Sequence, residues 1–250
     1  MYKIEICANS VVSCLAAQEG GAYRVELCAG IPEGGTTPSY GEILLAREKL
    51  GIKLHVIIRP RGGDFLYSSL EKEIMLKDIE NVRRLGVDGI VTGCLLADGE
   101  VDIDFLKEMK AAAGTLSVNF HRAFDMCRNP YHALEQLIEA GCERVLTSGL
   151  RASAEQGIPV LKELIEQADG RIVILPGCGI NEDNIVRIAQ ETGAEEFHLS
   201  VREAVQSDMK FRNPEVSMGG VVKTDEYEQA VTSAERVKNA VLRLQTFLGK

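Results

Sequence analysis

The sequence has no CxxC pair, no Met-x-x-Met run, no GxGxxG turn after its first apolar stretch and no excess of basic residues. Each absence removes a class. Without CxxC, a zinc ribbon or a thioredoxin-type site is disfavoured, and dedicated copper carriers tend to use one or the other of the first two motifs. Without the glycine-rich turn, an open doubly wound sheet lacks its usual mark. Lys plus Arg number 28 against 37 Asp plus Glu, a net charge of −9, which argues against a general binder of nucleic acid or anionic membrane. No apolar run approaches the roughly 18 to 20 residues needed to span a bilayer. Met1-Tyr2-Lys3 leads directly into a first strand rather than a secretory signal. These absences predict a cytoplasmic protein with no nucleic-acid and no membrane partner.

What is present is ample core material. Of 250 residues 45% are hydrophobic, 26% are charged and only 7 are proline, so intrinsic disorder is excluded. Cysteines at 7, 14, 28, 94, 127, 142 and 178 make an odd number. In a reducing compartment most of them read as buried thiols acting as small hydrophobes.

Short β-rich runs alternate with helical patterns, the mark of βαβ units and a parallel sheet. Strands are predicted near Lys3–Cys7, Arg24–Cys28, Lys53–Arg59, Val87–Thr92, Thr115–His121, Glu143–Ser148, Arg171–Pro176 and Glu195–Ser200. A helix follows each, the last near Glu226–Phe247, and Asn9, Ser39, Asp102 and Asn181 are plausible N-caps. Eight such units without a linker predict one (β/α)₈ TIM barrel domain over residues 1–250. The long connection Val201–Asp225 between the eighth strand and the last helix, with Met209-Lys-Phe-Arg212 and Met218-Gly-Gly220, reads as a lid or a binding segment, or more plainly as a helical turn or an oligomer contact.

Active sites of such barrels lie at the C-terminal strand ends. Period-two alternation puts Glu5 with Cys7, Glu26 with Cys28, His55 with Ile57 and Arg59, Asn119 with His121, and Glu196 with His198 in phase. The apolar phase packs on the helices, so the charged phase points inward. Any one of these residues reads most simply as a structural ion pair or a satisfied core histidine. Burying several unpaired charges together is costly, and a polar ligand pocket is the usual reason. The loops point the same way. Arg59-Pro-Arg61, Arg122 and Asp125, Thr147-Ser148, and the pair Gly177 and Gly179 leave the third, fifth, sixth and seventh strands. Arginine forks and a glycine-bearing turn at a helix start suit an anion.

The motifs Glu5-Ile-Cys7, Tyr23-Arg-Val-Glu-Leu-Cys28, Gly34-Gly-Thr-Thr-Pro-Ser39 and Ile58-Arg-Pro-Arg-Gly-Gly-Asp-Phe65 resemble those of the copper homeostasis protein CutC family. So do Phe120-His-Arg-Ala-Phe-Asp125, Leu146-Thr-Ser-Gly149, Pro176-Gly-Cys-Gly179 and Glu196-Phe-His198. The likeness runs from Tyr2 to about Gly220; Cys178 departs from it, standing where the family often has a third glycine. The resemblance implies a cytosolic barrel, a homodimer or homotetramer, that binds copper. Its proposed thiol ligands fall on Cys7 and Cys28.

Two functions stay open. One is copper homeostasis with Cu(I) held by the thiolates of Cys7 and Cys28, because a soft ion prefers sulfur; the plainer reading of these two is buried thiols. The other is an enzyme acting on a small anionic metabolite, phosphorylated or carboxylated. There Glu5, Glu26, His121 and His198 would do acid–base chemistry, and Arg59, Arg61, Arg122, Asp125, Ser148, Gly177 and Gly179 would shape the ligand site. Copper is the one cofactor expected, and no organic cofactor is evident.

Overall fold

A computed structural model describes residues 2–218 and 225–248. Eight parallel strands form the barrel wall: β1 (Lys3–Ala8), β2 (Arg24–Leu27), β3 (Lys53–Ile57), β4 (Gly89–Thr92), β5 (Ser117–Phe120), β6 (Arg144–Thr147), β7 (Val173–Pro176) and β8 (Glu196–Leu199). Helices α1 (Val11–Glu19), α2 (Tyr40–Lys49), α3 (Ser69–Arg84), α4 (Ile103–Ala113), α5 (Pro130–Glu139), α6 (Ile158–Ala168) and α7 (Ile185–Thr192) alternate with them. The ladder runs β7-β6-β5-β4-β3-β2-β1-β8, with β1 bonded to both β2 and β8. β7 and β8 pack side by side without a ladder among the described residues, so the barrel is closed but for this seam.

Alternation explains the two layers. Ile4, Ile6, Val25, Leu27, Leu54, Val56, Val118, Phe120, Phe197 and Leu199 are buried between sheet and helices. The intervening positions point inward; they are polar on β1, β2, β5 and β8, whereas Ile57, Val91, Leu146 and Leu175 make the inward face partly apolar on β3, β4, β6 and β7. Hydrophobic burial at roughly 25 cal/mol per Å² drives the outer layer, while the inner layer needs charge pairing to be tolerated. Arg24 supplies it: it is 1% exposed, its Nε meets the Glu5 carboxylate, and its Nη2 lies 2.9 Å from Glu196 Oε2. Glu196 also takes Lys3 Nζ and Arg144 Nε, each at 3.0 Å.

Two N-caps differ from expectation. Ser10 rather than Asn9 caps α1, accepting from the Ser13 amide, and Asn184 rather than Asn181 precedes α7. The Asn181 amide instead donates to Asn184 Oδ1 at 2.9 Å, which lengthens the turn after β7 before the helix begins. Ser39 and Asp102 cap α2 and α4 as expected, Ser39 in a full capping box with Glu42.

The connection after β8 contains an antiparallel ribbon, β9 (Arg202–Gln206) with β10 (Glu228–Thr232), where the sequence suggested a long loop and the start of the last helix. The final helix, α8 (Ala234–Leu248), begins eight residues later than the pattern predicts because residues 228–232 pair with β9 instead. The ribbon is anchored to the barrel by Asn9 Nδ2 donating to the Ala230 carbonyl at 2.7 Å and by the Thr232 amide donating to Ser13 Oγ at 3.1 Å. Gly219 and Gly220 of the same connection lie outside the described residues. No described helix is long and apolar enough to cross a membrane.

Candidate metal and acid–base site

At the C-terminal strand ends a cavity of about 280 Å³ is lined by Cys7, Glu26, Cys28, Arg59, His121 and His198, with Arg122, Cys178, Gly179 and Arg202 at its rim. The strands stop just short of several of these side chains. Cys28, Arg59 and His121 sit beyond the last paired residue, where the backbone leaves the ladder and can aim them at the mouth, whereas Ser148, one residue past β6, is buried against Asp125 and Arg122.

Cys7 and Cys28 come together here, Sγ to Sγ at 3.4 Å. Arg202 Nη2 lies 3.3 Å from Cys7 Sγ. The hydrogen bond from Cys28, with His198 and Arg202 beside it, lowers the Cys7 thiol well below the ordinary range despite burial. The same bond and burial push Cys28 the opposite way. One sulfur is therefore predisposed to carry the charge and its neighbour to carry the proton.

Beneath them His198 is fixed from two sides. Its Nδ1 lies 2.7 Å from Glu5 Oε1, and its Nε2 lies 3.5 Å from Glu26 Oε2. Burial would lower His198, but Cys7, Glu5 and Glu26 raise it well above its usual value, so it is an imidazolium. Burial likewise opposes charge on Glu5, yet Arg24 and His198 hold it well below the carboxylate range. For Glu26 burial prevails over the attraction of His198, helped by Cys7 and Glu5, and its pKa rises to about 8. The two carboxylates thus take different protonation states near neutrality.

His121 is neutral, pushed down to about 3 by burial and by Arg59. Its Nδ1 accepts from the Ala123 amide at 3.1 Å, which leaves the proton on Nε2, an atom without a hydrogen-bond partner among the described residues. His55 lies deeper, accepting from Asn119 Nδ2 at 3.1 Å and lowered to about 4 by burial.

The other expected residues divide. Glu5 does not line the cavity; it lies one layer below, occupied by Arg24 and His198. Arg59 lines it, but its Nη atoms donate to the carbonyls of Glu33, Gly35 and Gly63 at 2.8 Å, so it ties loops together. Arg61 points away, donating to Glu71, to Asp64 and to the Leu66 carbonyl on a separate surface depression. Arg122 reaches the rim while bonded to Asp125 at 2.7 Å and Ser148 at 3.0 Å. Asp125 is a loop organiser, taking the Thr147 hydroxyl and the amides of Ser148 and Leu150. Gly177 is where a Cβ would stand 2.5 Å from Leu146 Cδ1 and 3.2 Å from His198 Cβ, at the seam between β7 and β8. Arg24, Arg144 and Arg202 were not singled out from sequence. Alternation from Glu26 would have found Arg24. Nothing in the chain order points Arg202 at Cys7.

A larger hollow, about 850 Å³, opens at the opposite end among Tyr2, Tyr23, Lys53 and Asp88. There Asp88 neutralises Arg47 and Lys53, each at 2.7 Å.

Residues 2–203 match the model of the CutC family. The chain belongs to that family. It is 63% identical over 246 residues to a family protein CutC of Bacteroides thetaiotaomicron, covering 98% of this chain and 99% of the relative. It is 48% identical over 244 residues to the human copper homeostasis protein cutC homolog, covering 97% and 89%. A crystal structure of CutC from Streptococcus agalactiae superposes with a TM-score of 0.77 at 35% identity, covering 80% of this chain and 99% of that one. Thiamine phosphate pyrophosphorylase of Pyrococcus furiosus, at 14% identity and a TM-score of 0.60, shares the fold alone.

In this CutC-family chain the strand-end donors include soft ones. Ligand atoms of Cys7, Glu26 and His198 lie within 4.8 Å of one another. With Cys28 alongside, two sulfurs, joined by a His198 nitrogen once it gives up its proton, form a set that fits a soft ion, whereas Glu26 alone among them is a hard donor.

Proposed function

We propose that this protein serves copper homeostasis by binding Cu(I) in the cytosol through the thiolates of Cys7 and Cys28. The observation that carries the reading is the 3.4 Å approach of the two sulfurs in the wall of a solvent-reached cavity. Two thiols packed as mere hydrophobes do not need a guanidinium beside one of them, as Arg202 is. His198 is available as a third donor after losing its proton, so binding through it releases a proton and weakens in acid. Titration of Cu(I) against a competing chelator tests the reading. Replacing both cysteines by serine should remove most of the affinity, because a hydroxyl is a hard, protonated donor. Affinity equal to the parent's would place any copper elsewhere. The family resemblance carries a homodimer or homotetramer with it, which sedimentation velocity checks.

A second reading rests on a different observation, the protonated Glu26 facing the imidazolium of His198 at 3.5 Å. Two proton donors of different strength, a carboxylic acid and an imidazolium, suit proton transfer to a small anionic metabolite held near Arg122 and Arg202. Thermal-shift measurements with phosphorylated and carboxylated compounds test it, and Glu26→Gln should abolish turnover of any compound that binds.

A further inference from the structure

Cys14, Cys94, Cys127 and Cys142 are buried and line no part of the strand-end cavity. Cys7 and Cys28 differ in three respects. They face the cavity, they touch each other at 3.4 Å, and Cys7 Sγ lies 3.3 Å from a guanidinium nitrogen of Arg202. A cation beside a reachable sulfur favours the nucleophilic thiolate. A second thiol in contact with it is the arrangement in which a sulfenic acid is resolved rather than over-oxidised.

We propose that Cys7 is a peroxide-reactive thiol and Cys28 its resolving partner, so that a hydroperoxide converts the pair into an intramolecular disulfide in the cavity wall. In the first step the Cys7 thiolate attacks one peroxide oxygen. A sulfur–oxygen bond forms, the oxygen–oxygen bond breaks, and the departing alkoxide or hydroxide takes a proton, with His198 beside Cys7 as the donor. In the second step Cys28 sulfur attacks Cys7 sulfur. The sulfur–sulfur bond forms, the sulfur–oxygen bond breaks, and hydroxide leaves as water with the Cys28 proton. The two thiols give up two electrons and two protons, and the hydroperoxide is reduced to an alcohol or water plus one further water. The sulfurs must close from 3.4 Å to about 2.05 Å, and Cys28, two positions past Glu26, the register partner of Cys7, lies where β2 has left the ladder and its backbone can follow. The disulfide removes both soft donors from the cavity at once. That consequence rests on the copper reading; the oxidation itself rests on the sulfur geometry.

Metal-free full-length protein, stripped with a chelator, is exposed to hydrogen peroxide and digested without reduction for mass spectrometry. Free thiols should fall from seven to five, with one cross-link joining the peptides of Cys7 and Cys28, and dithiothreitol should restore all seven. In Cys28→Ser, dimedone should capture a sulfenic acid on Cys7 in a yield about ten-fold above the parent's, since the resolving thiol is gone. Cys7→Ser should keep all six of its thiols under the same exposure. Seven intact thiols in the treated parent, or a cross-link to Cys178 in place of Cys28, would overturn the proposal. If a serine variant does not fold, the parent's cross-link map decides. Copper affinity is measured separately, so a failed Cu(I) titration leaves this result standing or falling alone.

Discussion

Glu5 Oε1 stands 2.7 Å from His198 Nδ1, and the two residues are register partners across the junction of the first and eighth strands. This contact fixes which way the imidazole faces. With Nδ1 turned down to Glu5, Nε2 is turned toward Glu26 and Cys7 at the cavity floor. The carboxylate that orients the histidine is itself held by Arg24, so the floor is built on a buried ion pair.

Removing that carboxylate charge should therefore unsettle the whole base of the barrel. Glu5→Gln leaves Arg24 with one carboxylate where it had two, and the expected loss is about 3–5 kcal/mol, as for other broken buried pairs. Urea denaturation at neutral pH measures it. A change under about 1 kcal/mol would mean that water or Glu196 compensates.

Two buried groups give stability opposite dependences on pH. Glu26 has its folded pKa raised from 4.5 to about 8, so its contribution is complete below 4.5 and is lost as pH climbs toward 8, where the unfolded chain has already released the proton. His121 has its folded pKa lowered from 6.5 to about 3, so its contribution is complete above 6.5 and is lost as pH falls toward 3. Thermal melts across pH should show Glu26→Gln flattening the alkaline limb. His121→Asn, which keeps an acceptor for the Ala123 amide, should flatten the acid limb. Parallel curves for parent and variant would contradict the assignment in question.

Gly177 leaves room for His198. Gly177→Ala would place a methyl 2.5 Å from Leu146 Cδ1 and 3.2 Å from His198 Cβ, and it should cost about 1–3 kcal/mol as overpacking does. It should also disturb the imidazole, read as a shifted His198 resonance in an NMR pH titration. An unmoved resonance would show that Leu146 absorbs the change alone.

Arg61 and Arg202 should behave differently despite their common chemistry. Arg61→Gln ought to leave Cu(I) affinity unchanged and to cost no more than about 1 kcal/mol, since its partners are a half-exposed set on another surface. Arg202→Gln removes the cation from Cys7 and should slow the reaction of that thiol with an alkylating reagent. Equal alkylation rates in parent and Arg202→Gln would show that His198 suffices.

The inward set Glu5, Glu26, His55, Asn119 and His198 was legible in the chain because a strand turns successive side chains to opposite faces, and apolar neighbours settle which face is covered by helices. The eightfold count and the family motifs were legible for a similar reason, being written in short, contiguous stretches. Which of the inward residues reach the cavity was not. Glu5 and Glu26 share a phase, yet one is held below the floor by Arg24 and the other lines it. The loop arginines illustrate the limit further. Arg59 and Arg61 are two residues apart, but the turn after β3 sends one into the cavity wall and the other to Glu71. Residues 228–232 look like the approach to a helix until β9 is placed beside them, and that ribbon brings Arg202 onto Cys7 across 195 positions of sequence. Local sterics and periodicity act within a few residues and can be read along the chain. Contacts made by closing a barrel and folding a ribbon over its mouth depend on the three-dimensional course of every intervening element.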